Sequence, residues 1–395
     1  MVKLLNKQLI IQKKIKTILI YIMTSGIYIH IPFCKSRCSY CDFATDVYRN
    51  QESVERYVSA LCKEITDHRT QNADHIETIY FGGGTPSLLT ANQLEKILNS
   101  LRKNFSFTEN IEFTLEMNPA TVSLEKLQDY KNLGVNRASF GVQTFDDRAL
   151  KLLARGHDAN DARKTFELLR QANFDNISFD LIAGLPNQTL QNWEDNLNKA
   201  LDLQPEHLSL YLLEIHEATP LAEQIRSKRQ PLPNEDLAAE MYELMLEKVA
   251  KFGYEQYEIS NFSKPNFESK HNNKYWLCEP VFAFGVSAHS FDGKFRWANE
   301  RDTNQYVSLI EKDKSPIVYR EEIDLASEFV FLHLRLTKGL DLVEYKRLFD
   351  VNLLEKFAED LKNLQEIELV EVSENHLKLT KKGMVYSNEV FAVFV

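Results

Sequence analysis

Cysteine is scarce in this chain, with five in 395 residues. That is too few for a disulfide framework, and thiolate chemistry in a reducing cytoplasm fits the count better. No long apolar run is present either. The run Thr17-Ile-Leu-Ile-Tyr-Ile-Met23 is far short of the roughly 20 residues that span a bilayer. Basic residues are outnumbered, 47 Lys and Arg against 57 Asp and Glu, for a net charge of −10. A general nucleic-acid binder needs a basic face and is therefore excluded. Apolar content is ordinary and the charges are mixed, so the chain is globular, long enough for one large domain and a smaller one.

Residues 1–23 stand apart. They hold Lys3, Lys7, Lys13, Lys14 and Lys16, no acid, and then the short apolar run. The layout is that of a signal peptide, but a strand begins at once behind it. The expectation is a non-native basic and apolar extension with Met23 as the true start; a basic surface anchor is the sharper alternative.

Three of the five cysteines lie in one stretch, Tyr28-Ile-His-Ile-Pro-Phe-Cys34-Lys-Ser-Arg-Cys38-Ser-Tyr-Cys41-Asp-Phe43. A C-x3-C-x2-C loop behind a strand brings three thiolates to one place, where they suit a soft metal or an iron–sulfur cluster. A zinc site with His30 as fourth ligand and a redox pair with a spare cysteine are the plainer readings. With three cysteines, a four-iron cluster keeps one iron open to a small molecule.

Strand and helix then alternate. Strands are expected at Ile27–Ile31, Ile76–Phe81, Ile111–Met117, Arg137–Val142, Asn176–Ile182 and His207–Leu213, with helices between them. Short connections make the strands parallel, with right-handed crossovers. Six units are fewer than the eight of a closed barrel, so the expected fold is α/β, a partial (β/α)6 TIM-like barrel over residues 24–260. A linking region is expected at 261–323. At 324–395, helical runs precede two short strands, which suggests a winged-helix-like α+β domain suited to packing or partner binding. Chemistry in such barrels collects where strands end. The cysteines, Gly82-Gly83-Gly84-Thr85-Pro86, Glu116, Gln143 and Asp180 all have that address.

The cysteine stretch resembles the cluster loop of radical S-adenosylmethionine (SAM) proteins, residue for residue. The resemblance implies a [4Fe-4S] cluster on Cys34, Cys38 and Cys41, with SAM chelating the open iron. It also implies that Gly83, Gly84 and Thr85 hold the methionine amino group. Tyr28 and Tyr40 would contact SAM, Tyr40 beside the adenine, and Glu116 would accept from the ribose hydroxyls. Gln143, Arg155 and Asp180 would be further SAM contacts. Read from the residues alone, Arg155 is as readily a structural ion pair.

Across residues 26–370 the chain resembles the group that holds oxygen-independent coproporphyrinogen III dehydrogenase (HemN) and its heme-chaperone relatives. The dehydrogenase has a further cysteine two residues past the third ligand, where this chain has Phe43, and an N-terminal segment that is not matched here. The chaperone branch has Phe there and an H-N-x-x-Y-W motif, matched by His271-Asn-Asn-Lys-Tyr-Trp276. The resemblance implies heme binding, with His271 as a candidate axial ligand and Tyr275 and Trp276 as flat apolar surface. His216 and His289 are other candidate ligands, and a packed, hydrogen-bonded His271 is the plainer reading. It further implies delivery of heme to membrane-associated respiratory hemoproteins, an electron donor for the cluster, a homodimer, and a cytoplasmic protein peripherally associated with the membrane. Coproporphyrinogen decarboxylation is the competing function.

Overall fold

The structure, a computed structural model, describes residues 25–68 and 75–395. The expectation for residues 1–23 lies outside the described residues. One sheet dominates. Its strands are β1 (Ser25–Ile31), β2 (His75–Gly83), β3 (Ser106–Met117), β4 (Arg137–Gln143), β5 (Ile177–Ala183), β6 (His207–Leu212), β7 (Glu255–Gln256), β8 (Asn261–Ser263), β9 (Val281–Phe284), β10 (His289–Phe291), β11 (Phe295–Asn299) and β12 (Ile317–Glu322). They run in the order β12-β11-β10-β9-β1-β2-β3-β4-β5-β6-β8-β7. The stretch from β9 to β6 is parallel throughout. No pairing among the described residues joins β12 to β7, so the sheet stays open as expected.

The expected linking region does more than link. Residues 261–323 supply β8 to β12, in the same sheet as the barrel strands. The reason is the backbone. Without β9, the second edge of β1 would present buried N–H and C=O groups with no partner.

Alternation along the parallel strands sorts the residues. Ile27, Ile29 and Ile31 on β1, Phe113, Leu115 and Met117 on β3, and Phe140 and Val142 on β4 join one large core with the flanking helices. The intervening residues are polar. Tyr28, Tyr80, Thr114 and Arg137 are paired neighbours across four strands. The inside of the curve is thus lined by hydroxyls, carboxylates and imidazoles while the outside is greasy.

The helices start where their caps say. Asn50 accepts from the Ser53 amide to begin Gln51–Asp67. Thr90 with Gln93, Asp158 with Asp161 and Thr189 with Asn192 form reciprocal capping boxes before Ala91–Asn104, Ala159–Gln171 and Leu190–Leu203. Each satisfies amides that the first turn leaves unpaired.

Beyond Asp324 a second core forms around Val330, Leu334, Tyr345 and Leu377. Its sheet has three strands, adding Leu340–Asp341 to the two expected. Arg335 ties this region to the sheet domain. It pairs with the fully buried Glu258 at 3.2 Å and lies 4.3 Å over the Trp276 ring.

Candidate cluster and cofactor site

Ser39 pins the cysteine loop. Its amide donates to Leu153 O, its hydroxyl to Leu152 O, and its carbonyl accepts from the Leu221 amide. Two sequence-distant segments therefore fix the turn that carries Cys38 and Cys41. The glycine stretch follows β2. Gly83 has φ of +110°, and a Cβ there would meet the His30 ring at 2.6 Å. Gly84 packs so closely that a Cβ would meet Pro32 O at 2.5 Å. These two positions need glycine for internal reasons, whatever binds beside them.

A polar chain runs between two of the cysteines. Thr85 Oγ1 donates to Cys34 Sγ at 3.5 Å and accepts from Asn118 Nδ2 at 2.9 Å. Asn118 Oδ1 accepts from Arg155 at 2.7 Å, and Arg155 donates on to Cys38 Sγ at 3.5 Å and to Gly141 O at 2.7 Å. The Nε of Arg155 is buried with no partner. Burial, with Cys38 and Cys41 adding to it, pushes the Cys34 thiol up to about 11, against the pull of the Thr85 hydroxyl. A buried guanidinium with an unpartnered Nε beside a cysteine sulfur is a mismatch which a bound cluster with its anionic sulfurs would resolve. The donor set and the orphaned Nε thus fit a cysteine-held cluster. Among the described residues no three His, Cys, Asp or Glu side chains stand close enough to hold a single metal ion. His30 does not serve a zinc site as it stands, because Tyr28 OH and Ala44 O occupy its two nitrogens.

Glu116 ends β3 as a receptor with two oxygens in use. Tyr80 OH donates to one at 2.7 Å and the Gly83 amide to the other at 3.1 Å. Burial raises its carboxyl to about 7, with Asp180 adding to the shift. Asp180 lies opposite Gly141 on the neighbouring strand, and burial raises it as well, against the Ser209 hydroxyl. Gln143 takes φ of +66° at a register slip in β4, beside Gly141. Tyr40 packs among Leu153, Ile182 and Leu185, and its hydroxyl feels the charge of Arg155.

The structure brings His271 to the same place. It lies on the helix Lys270–Trp276, capped by Ser269. Its ring is 1% exposed and stacks on Tyr80 with 5.0 Å between centroids, and on Tyr28 at 6.5 Å. Thr78 Oγ1 bonds its Nδ1 at 2.8 Å and Tyr275 OH its Nε2 at 3.1 Å. Burial, then the charges of Lys274 and Arg137, lower its pKa to about 3, so the ring is neutral. In this conformation it is packed, with no nitrogen free for iron. His289 is exposed and bonded with Tyr319, and His216 stands near Glu214.

Sequence reasoning missed Asn118 and Tyr80. Asn118 stood at a strand end before a proline, which was a usable signal; the inward face of Tyr80 was legible from alternation.

Residues 28–200 match the Radical SAM superfamily and residues 321–386 the HemN C-terminal domain. The heme chaperone HemW of Bacillus subtilis is 39% identical over 376 residues, 93% of this chain and 98% of that protein. HemW of Lactococcus lactis is 34% identical over 93% of this chain and 96% of its own length. Among solved structures, Escherichia coli coproporphyrinogen III oxidase (HemN), a radical SAM enzyme, superposes with a TM-score of 0.82 at 25% identity, covering 94% of this chain and 90% of that one. Identities above 30% over more than nine-tenths of both chains show that the chain belongs to the family of the heme chaperone HemW.

Proposed function

We propose that this chain binds heme beside a SAM-coordinated [4Fe-4S] cluster and hands the heme to hemoproteins. One observation carries the reading: the His271–Tyr275 turn packs into the same aromatic stack as Tyr28 and Tyr80, whose hydroxyl holds Glu116. Heme motif and SAM contacts share a wall.

Cys34, Cys38 and Cys41 would hold the cluster, which when reduced supplies the single electron for cleaving a sulfonium. Thr85, Asn118 and Arg155 position the cysteine sulfurs and balance their charge. Backbone groups of Gly83 and Gly84, with Thr85, receive the methionine amino group. Glu116 accepts from ribose hydroxyls, Tyr40 faces the adenine, and Tyr28, Gln143 and Asp180 complete the SAM contacts. Tyr275, 37% exposed, and Trp276 present the surface for the macrocycle. His271 serves heme by fixing that wall, and ligates iron only where its bond to Tyr275 opens.

The recipients would be membrane-associated respiratory hemoproteins. No helix among the described residues is long and apolar enough to cross a membrane, and we place the protein in the cytoplasm with peripheral attachment. An electron donor and a homodimer complete the proposal. The competing reading, coproporphyrinogen decarboxylation, draws on the likeness to HemN. It lacks the further cysteine, for which this chain has Phe43, 68% exposed.

Anaerobic titration of the cluster-loaded protein with heme is the test, with His271→Ala and Tyr275→Phe alongside. Weakening by both variants with an unchanged Soret band identifies His271 as a positioning residue. A Soret shift in His271→Ala alone identifies it as the ligand. Absence of heme binding, or formation of protoporphyrinogen from coproporphyrinogen and SAM, overturns the proposal.

A further inference from the structure

Arg137 opens β4 and faces the inside of the curved sheet, at the level of Thr114, Tyr80 and Tyr28. Its side chain is 1% exposed. Its Nε is buried with no partner, and so is the hydroxyl of Thr114 on the adjacent strand. Among the described residues no carboxylate lies within ion-pair distance of its guanidinium.

Several other buried charges of the fold are answered. Lys274 meets Glu77 and Glu279, and Glu258 meets Arg335. Glu64 takes Gly285 N, Asn299 and Tyr306. Glu112 takes the amides of Lys270 and His271. A buried cation left alone is strongly penalised, so its retention calls for an anion that arrives with something else.

The field of Arg137 reaches Tyr80, Glu116, Asp180, His207, Tyr257 and His271, which line the lumen on several sides. None of them takes its donors. His207 has both nitrogens bonded, to Ser178 and Tyr257, as His271 has to Thr78 and Tyr275. Glu116 is spent on Tyr80 and Gly83. Arg155, not Arg137, serves the cysteine sulfurs.

We propose that Arg137 is the anchor for a ligand carboxylate that enters the lumen from the cysteine end. A guanidinium offers two parallel N–H donors to a carboxylate, and the Thr114 hydroxyl adds a third. The inference rests on the proposed function for its two sources of that group, the propionates of heme and the methionyl carboxylate of SAM.

The test compares acid and neutral partners on the full chain and on Arg137→Gln. The pairs are heme with its dimethyl ester, and SAM with decarboxylated SAM. The unmodified chain prefers the acid of at least one pair by about tenfold or more, and Arg137→Gln erases that preference while leaving the neutral partner's affinity in place. Loss on the heme pair assigns the propionate; loss on the SAM pair assigns the methionyl group. Arg137→Lys retains part of the preference, and Thr114→Val, which keeps the cation, reduces it by a smaller factor should Arg137→Gln not fold. Equal affinity for acid and neutral partners in the unmodified chain overturns the proposal, as does a preference that survives in Arg137→Gln. Failure of heme and its ester alike to bind sinks the heme reading, while the SAM pair still decides Arg137.

Discussion

His271 lies flat against Tyr80, with ring centroids 5.0 Å apart and planes 26° from parallel. The contact joins a helix from the late part of the chain to the strand before the glycine turn. Thr78, two residues ahead of Tyr80, holds the imidazole from the same strand.

Thr78→Val keeps the shape and removes that bond. A buried Nδ1 left without a partner costs about 1–3 kcal/mol. Denaturant unfolding is expected to show a loss of that size, with the unfolding slope unchanged. No loss would mean that the His271 ring is placed by packing alone.

Asn118 is the middle of the chain from Thr85 to Arg155. Asn118→Leu severs both links and leaves the cysteines untouched. Supporting residues of metal ligands are worth about 10- to 100-fold in affinity. Iron and sulfide content after anaerobic loading and gel filtration is expected to fall accordingly, with the helix content preserved.

The carboxyl of Glu116 is raised to about 7 by burial. Its folded pKa stands above the unfolded value, so the native state holds the proton more tightly. Stability of the ligand-free chain therefore carries a term that is full below about 4.5 and declines as pH rises toward 7. SAM binding runs the opposite way if ribose hydroxyls donate to the carboxylate. Affinity is expected to fall below pH 7 by up to about tenfold per unit. Glu116→Gln should flatten the profile, and a profile equally steep in that variant would assign it elsewhere.

Trp276 is the reverse case. Its Nε1 is buried with no partner, yet its ring carries Arg335. Trp276→Phe removes the idle donor and keeps a face for the guanidinium. Its stability is expected to stay within about 1 kcal/mol of the parent, whereas Trp276→Ala should lose about 3–5 kcal/mol. Thermal melts of the pair separate the two contributions.

Much of the parallel sheet was legible because alternation is local. Ile27–Ile31, Ile76–Phe81 and Asn176–Ile182 foretell β1, β2 and β5 to within a residue or two. The strand-end address of the cysteines, Glu116 and Gln143 followed from the same pattern, whereas Asp180 lies in the middle of Ile177–Ala183. The second half of the sheet was not legible. The strands β7, β8 and β10 span two or three residues, too short to show a period, and their existence depends on edges offered by β1 and β6. Nor does a sequence say which charges lack partners. Arg137 reads as an ordinary strand residue until the register places Thr114, not an acid, across from it and Tyr80 one strand beyond.

β1 has one neighbour, β2, close behind it in the chain and another, β9, more than two hundred residues later. On the ribosome the strand that carries the cysteines therefore spends most of synthesis with one edge bare. That edge is covered only when Val281–Phe284 emerges and pairs with Gly26–Ile29. Nascent chains stalled before Val281 are expected to be cleaved by protease near β1, and chains stalled well past Phe284 to resist.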